Sequence, residues 1–173
     1  MEKHLALSLS IGSLSGVATF LAVGPASGIF LIWAVTISWA AYFMLGADKP
    51  ALINTIVNGI YGVFMAWLTA VLLTEIAPDS QLGFTLLASI TVAVVVLVMC
   101  LLAVYPVVAV IPVSVLGYSA TFAYLLQTPD KLSKEVLLGA DLSNPLLLIS
   151  ISIVVGGFFG QFSAQLAAKW TKA

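Results

Sequence analysis

Apolar residues in this chain gather in long runs separated by brief clusters of charge, glycine and proline, with little of the strict alternation that marks strands. A membrane-spanning helix needs about 20 apolar residues at about 1.5 Å each. Reading between the breaks predicts six such helices, at 5–23, 27–46, 51–74, 82–104, 107–127 and 145–168. Gly24-Pro25 and Tyr105-Pro106 make two tight connections, because proline lacks an N–H and restricts the residue before it. Asp48-Lys49-Pro50, the acidic Glu75 to Asp79 segment and the longer Thr128 to Asn144 segment supply the other links. The last carries Asp130, Lys131, Lys134, Glu135 and Asp141 and has room for a short helix outside the membrane. Pro112, inside the fifth run, is expected to kink it.

Composition turns these runs into a solvent argument. The chain is 62% hydrophobic and 8% charged, with a mean hydropathy of +1.18. A water-soluble globule carries about 25% charged residues, so lipid is the expected surrounding. A net charge of -1, spread along the chain, offers no nucleic-acid surface. Cys100 has no second cysteine to pair with and reads as a small packed side chain. Lys3 and His4 ahead of the first run, with small residues at 22–28, have the outline of a cleaved signal, but Pro25 and the repeat below favour a retained helix. With six spans, Lys3, Lys49, Lys169 and Lys172 share one side and Lys131 and Lys134 the other. The positive-inside bias then places both termini of a multi-pass protein in the cytoplasm.

The two halves resemble each other. Ala22-Val23-Gly24-Pro25 aligns with Ala103-Val104-Tyr105-Pro106, Ala41-Tyr42-Phe43 with Ala120-Thr121-Phe122, and the ten residues from Gly59 with the ten from Gly157, where Gly, Gly, Phe, Ala and Leu recur at the same spacing. The expected fold is therefore all-α: one six-helix membrane domain over 1–173, with repeat 1 at about 5–75 and repeat 2 at about 82–168. Three spans per repeat make the second copy enter from the opposite side. That is a 3+3 inverted-topology repeat, an architecture that recurs among transporters with sites near the midplane.

The Gly12 to Gly16 start, Ala41-Tyr42-Phe43, Ala120-Thr121-Phe122-Ala123 and the six-span layout resemble the small bacterial inner-membrane proteins catalogued as domain of unknown function 1097. Family members often carry Cys or Thr just before these aromatics, where this chain has Trp39, Ala40 and Ser119. The resemblance implies an inner-membrane protein and supplies no activity, cofactor or catalytic residue.

Candidate chemistry is sparse. Every Asp, Glu and Lys falls in a link, at a terminus or at a helix end, so coupling through an intramembrane carboxylate is not expected. His4 is the only histidine, and no nucleophile with a base or metal-ligand set is in sight, so neither an enzyme, a cofactor nor a metal is expected. Two aromatic pairs four residues apart, Trp39 with Phe43 and Tyr118 with Phe122, occupy equivalent places in the two halves. They read either as constrictions of a narrow path, with Tyr42, Tyr118, Ser119 and Thr121 as hydrogen-bonding groups, or as packing and interfacial-belt residues. Asn54, Asn58 and Gly62 form one stripe and Gln161 with Gln165 another, serving as interhelical glue or as a wet lining in which Asn58 and Gln161 meet solute. Ser8-Gly12-Gly16 and Ser152-Gly156-Gly160 predict close helix packing and a homo-oligomer. The expected function is a channel or facilitator for a small, mostly neutral solute, with a non-transport scaffold or assembly subunit as the alternative.

Overall fold

The computed structural model describes residues 1–76 and 83–172. Most of the acidic Glu75 to Asp79 link, and the residue opening the predicted 82–104 span, lie outside them. All regular structure among the described residues is helical: α1 (Lys3–Val23), α2 (Ile32–Met44), α3 (Lys49–Ile76), α4 (Phe84–Leu101), α5 (Ile111–Gln127), α6 (Lys134–Leu138) and α7 (Pro145–Lys172). Two 3-10 turns, Leu102–Val104 and Pro106–Val108, separate α4 from α5. Among the described residues four helices are long and apolar enough to cross a membrane: Lys3–Val23, Lys49–Glu75, Phe84–Val104 and Pro145–Thr171. The molecule is an all-helical membrane protein.

The second and fifth predicted segments depart from expectation. α2 has 13 residues and α5 has 17, which at 1.5 Å per residue makes them about 20 and 26 Å long against a hydrocarbon core of about 30 Å. Their missing turns are the breaks. Gly24-Pro25 opens not a tight connection but a run of turns from Gly24 to Ile29, with Gly28 at φ +82° in the left-handed region. Pro106 starts a 3-10 turn rather than α5 itself. Pro112 sits in the first turn of α5, where its missing N–H has no intrahelical partner to lose, so it makes no interior kink.

Two of the long helices, α3 and α7, start on polar caps. Asp48 Oδ1 accepts the Ala51 N–H at 2.7 Å, directly after the left-handed turn at Gly46 and Ala47. Asn144 Oδ1 accepts the Leu146 N–H at 2.9 Å, while its amide donates to Leu137 O and Gly139 O. The 128–144 link contains the short helix expected of it, α6. Hydrogen bonds from the Ser143 hydroxyl and backbone N–H hold the Asp141 carboxyl there below its usual range.

The chain forms two compact units that do not coincide with the two sequence halves: Met1–Ile56 with Ile151–Ala173, and Val57–Ser150. In the first unit α2 packs on α7. A Cβ at Gly156 would overlap Val35 O, and one at Gly160 would lie 2.7 Å from Tyr42 Cδ1. Ser38 Oγ donates to Ile153 O at 2.6 Å, and the hydroxyls of Ser10 and Ser163 meet at 3.2 Å in a buried bond. The packed stripe of α1 is Ala6, Ser10 and Ala18. Ser8, Gly12 and Gly16 are exposed, and no atom comes within 4 Å of a Cβ built at either glycine. Of the two predicted small-residue faces, then, the one on α7 is a close contact within the chain and the one on α1 is open.

In the second unit α5 packs on α3 just as closely. A Cβ at Gly62 would run into Ser114 O, and one at Gly117 into Gly59 O. Met65, Ala66, Val95, Met99 and Tyr118 form its core, with Cys100 packed against it. Trp67 Nε1 donates to Leu137 O at 2.7 Å and Tyr124 OH to Ser143 O at 3.0 Å, tying down the 128–144 link. The Lys134–Glu75 ion pair at 2.8 Å is exposed on both sides and stabilises little.

These contacts have a measurable consequence. Gly62→Ala and Gly156→Ala place a methyl against backbone and are expected to cost about 1–3 kcal/mol each. Gly12→Ala fills open space and is expected to stay within about 0.5 kcal/mol of the parent. Thermal unfolding of the three variants in one detergent checks this; equal midpoints would mean that the glycines do not set the helix contacts.

Candidate functional site

The two short helices begin in the same way. Leu31 is the N-cap of α2 and Val110 the N-cap of α5, and the offset that brings Ala41 onto Ala120 brings Leu31 onto Val110. Both caps are apolar, so neither side chain can take up a backbone donor. A side chain from a long helix does so instead. In the first unit the Leu31 N–H donates to Ser152 Oγ at 3.0 Å. In the second the Val110 N–H donates to Asn58 Oδ1 at 2.9 Å, with Asn58 Nδ2 reaching Val107 O at 3.5 Å. Ser152 and Asn58 are fully buried. Each unit thus holds an apolar, non-α stretch that enters a short helix, pinned where the helix starts by one buried polar group.

The aromatic pairs fare differently. Tyr118 and Phe122 stack, with ring centroids 5.1 Å apart, and Tyr118 OH donates to Thr69 Oγ1 in a buried bond of 3.1 Å. Trp39 instead lies against Phe159 at 5.7 Å, and Phe43 meets Tyr42 edge-on at 5.6 Å. Tyr42 is buried and its hydroxyl donates to Ala47 O at 2.6 Å, bracing the turn between α2 and α3. Thr121 is buried and bonds Gly117 O of its own helix. Ser119 is exposed and stands apart from the others.

Trp39, Tyr42, Phe43 and Gln161 belong to the first unit, and Asn58, Tyr118, Ser119, Thr121 and Phe122 to the second. Within the first unit, Trp39 and Phe43 line a cavity of 210 Å³ with Ile11, Ser15 and Thr36. Tyr42 and Gln161 line another of 290 Å³ with Asp48, Lys49 and Gln165. Trp39 Nε1, Thr55 Oγ1 and Ser150 Oγ are buried with no hydrogen-bond partner among the described residues. A hydroxyl has a free rotor and can accept as well as donate; the indole N–H is a fixed donor, so Trp39 is the informative case. The Trp39 position aligns with Tyr118, whose hydroxyl is satisfied by Thr69.

Ser152 and Thr69 were not anticipated as site residues. Ser152 was visible only as one end of a small-residue stripe, and Thr69 carried no signal in an apolar helix. Among the described residues no three His, Cys, Asp or Glu side chains gather as a metal-ligand set.

An all-helical membrane protein with a short, irregularly entered helix in each sequence half is the class defined by these elements. The chain belongs to the family described as Protein of unknown function (DUF1097), whose model matches residues 8–168. No curated protein and no solved structure matches it.

If the buried side chains hold the breaks, removing them must be felt. Asn58→Leu strands the Val110 N–H and is expected to cost about 1–3 kcal/mol, and Ser152→Ala about 1 kcal/mol. Thr36→Ala, on an exposed hydroxyl that bonds only its own helix, is expected to fall within about 0.5 kcal/mol. Unfolding midpoints in detergent separate the three.

Proposed function

We propose that the protein is a channel or facilitator for a small, mostly neutral solute across the bacterial inner membrane. In this reading six membrane segments form one domain, arranged as a 3+3 inverted repeat with both termini in the cytoplasm. α2 and α5, with the turns before them, are the second and fifth segments. The observation that carries the reading is the matched pair of short, broken apolar segments. Such interruptions at corresponding places in two halves are the best sequence-level pointer to a transporter's binding site, since non-helical backbone is tolerated at membrane depth only when buried in protein or lining a cavity.

Two further observations support it. Charged side chains among the described residues lie at helix ends or in links, which fits a path for an uncharged solute better than one for an ion. Trp39 Nε1 is a buried donor awaiting an acceptor. The open Ser8-Gly12-Gly16 face of α1 is where a second copy of the chain would pack, in the homo-oligomer that belongs to this reading.

A scaffold or assembly role is favoured by a different observation: Ser10, Ser38, Thr69, Thr121, Tyr118 and Ser163 all spend their hydroxyls inside the protein. Osmotic swelling of vesicles containing the purified chain, tested with urea, acetamide and glycerol, separates the two. Channel activity is expected to speed at least one solute over empty vesicles. If none moves faster while helicity is intact, the scaffold reading replaces it. Trp39→Phe removes the unpartnered donor and is expected to keep or raise stability, by up to about 1–3 kcal/mol, while lowering flux. Unchanged flux in both Trp39→Phe and Phe122→Ala would assign those rings to packing.

A further inference from the structure

The first unit carries two cavities that share a wall. One, of 460 Å³, is an apolar groove bounded by Leu7, Phe43 and the alanines 47, 164, 167 and 168, with Lys3 at its edge. The other is the 290 Å³ pocket lined by Tyr42, Asp48, Lys49, Gln161 and Gln165. Ala47, Ala164 and Ala168 belong to both. The composite space is therefore apolar at one end and polar at the other, and it lies among helix ends: the first residues of α1, the turn from α2 into α3, and the last turns of α7.

The polar end has unused capacity of both signs. Asp48 commits Oδ1 to the Ala51 N–H, which leaves its second oxygen. Tyr42 donates to Ala47 O, which leaves its lone pairs. Neither Asp48, Lys49 nor Lys3 is in an ion pair among the described residues, and Gln161 is half-buried with no hydrogen bond among them.

We infer that this composite cavity binds a membrane glycerophospholipid whose headgroup ends in a primary ammonium. An acyl chain would occupy the alanine-floored groove, where small side chains leave a slot against Leu7 and Phe43. The phosphate would meet Lys3 and Lys49. The terminal ammonium would donate to the free oxygen of Asp48, and the carboxamides of Gln161 and Gln165 would donate to the glycerol esters. A free polar solute accounts for the polar pocket alone; the shared apolar wall is what favours a guest with a tail. Asp48 is the selecting residue, since a headgroup without an ammonium forms no ion pair with it and one with a trimethylated nitrogen has no N–H to donate. The site shares Tyr42, Phe43 and Gln161 with the candidate solute contacts, but its test reads lipid retention and does not depend on transport.

Native mass spectrometry of the full chain in detergent, with added dioleoyl phosphatidylethanolamine, phosphatidylcholine or phosphatidylglycerol at equal concentration, tests it. The ethanolamine lipid is expected to be retained about fivefold over the other two, the factor that one partly exposed ion pair supplies. Asp48→Asn keeps a helix cap of equal quality and is expected to abolish that preference while lipid still binds. Ala168→Leu, on an exposed wall position, is expected to lower retention of all three lipids. Equal retention of the three by the parent chain overturns the inference. So does an Asp48→Asn variant that keeps the preference, or an Ala168→Leu variant that retains lipid as the parent does.

Discussion

A backbone amide in hydrocarbon has no water to turn to, and an unpaired one costs several kcal/mol. That constraint governs the places where this chain is not helical. Unbroken helices meet it by themselves, as α1, α3, α4 and α7 do along their lengths. α2 and α5 do not, because Gly24, Pro25 and Gly28 in one case and Pro106 in the other stop the apolar stretch from being helical throughout. Both resulting entry points have apolar caps, Leu31 and Val110, and the donor exposed at each goes to a buried side chain on a neighbouring helix: Ser152 in one unit, Asn58 in the other. The short helices exist as stable elements because those two acceptors are in place.

Getting the acceptors into place requires the helices to approach closely. A serine hydroxyl or an asparagine carboxamide reaches only a short way from its own backbone, so the long helix must lie almost against the short one. Glycine permits this: Gly156 faces Val35 O in the first unit, and Gly62 faces Ser114 O in the second. The glycines and the polar pins therefore act together, the former one turn or two beyond the latter along α7 and α3. In lipid, where burying apolar surface between helices gains little over burying it in acyl chains, close packing and interhelical hydrogen bonds are the forces left.

Much of this was legible in the sequence, for reasons that differ by element. The four long helices follow from run length, and α3 and α7 also from capping groups beside proline. The Gly156–Gly160 face followed from four-residue spacing, and Asn58 as interhelical glue followed from the cost of a carboxamide in hydrocarbon. The short helices were overestimated because Ile29, Phe30 and Leu31 are apolar whether helical or extended, and hydropathy does not distinguish the two. The packing face of α1 was misassigned because Ala6-Ser10-Ala18 and Ser8-Gly12-Gly16 both repeat at helical spacing. Two residues of offset is about 200° of rotation at 3.6 residues per turn, so the stripes lie on opposite sides, and periodicity does not say which side meets protein. The pairing of Trp39 with Phe159 rather than Phe43 depends on a residue more than a hundred positions away, which no local spacing encodes.

Positions that align between the two sequence halves differ in their chemistry. Leu31 and Val110 align in sequence, yet one amide meets a hydroxyl and the other a carboxamide set one turn further along the aligned helix. Trp39 and Tyr118 align too, yet the tyrosine is satisfied by Thr69 and the indole N–H has no acceptor among the described residues. A break needs only some acceptor at its start, so Ser and Asn serve the fold equally well. An unsatisfied buried donor works against stability, and packing alone gives no reason to place a tryptophan there when phenylalanine fills nearly the same space. The differences between aligned positions, more than the features they share, are therefore where the proposed solute path is open to test.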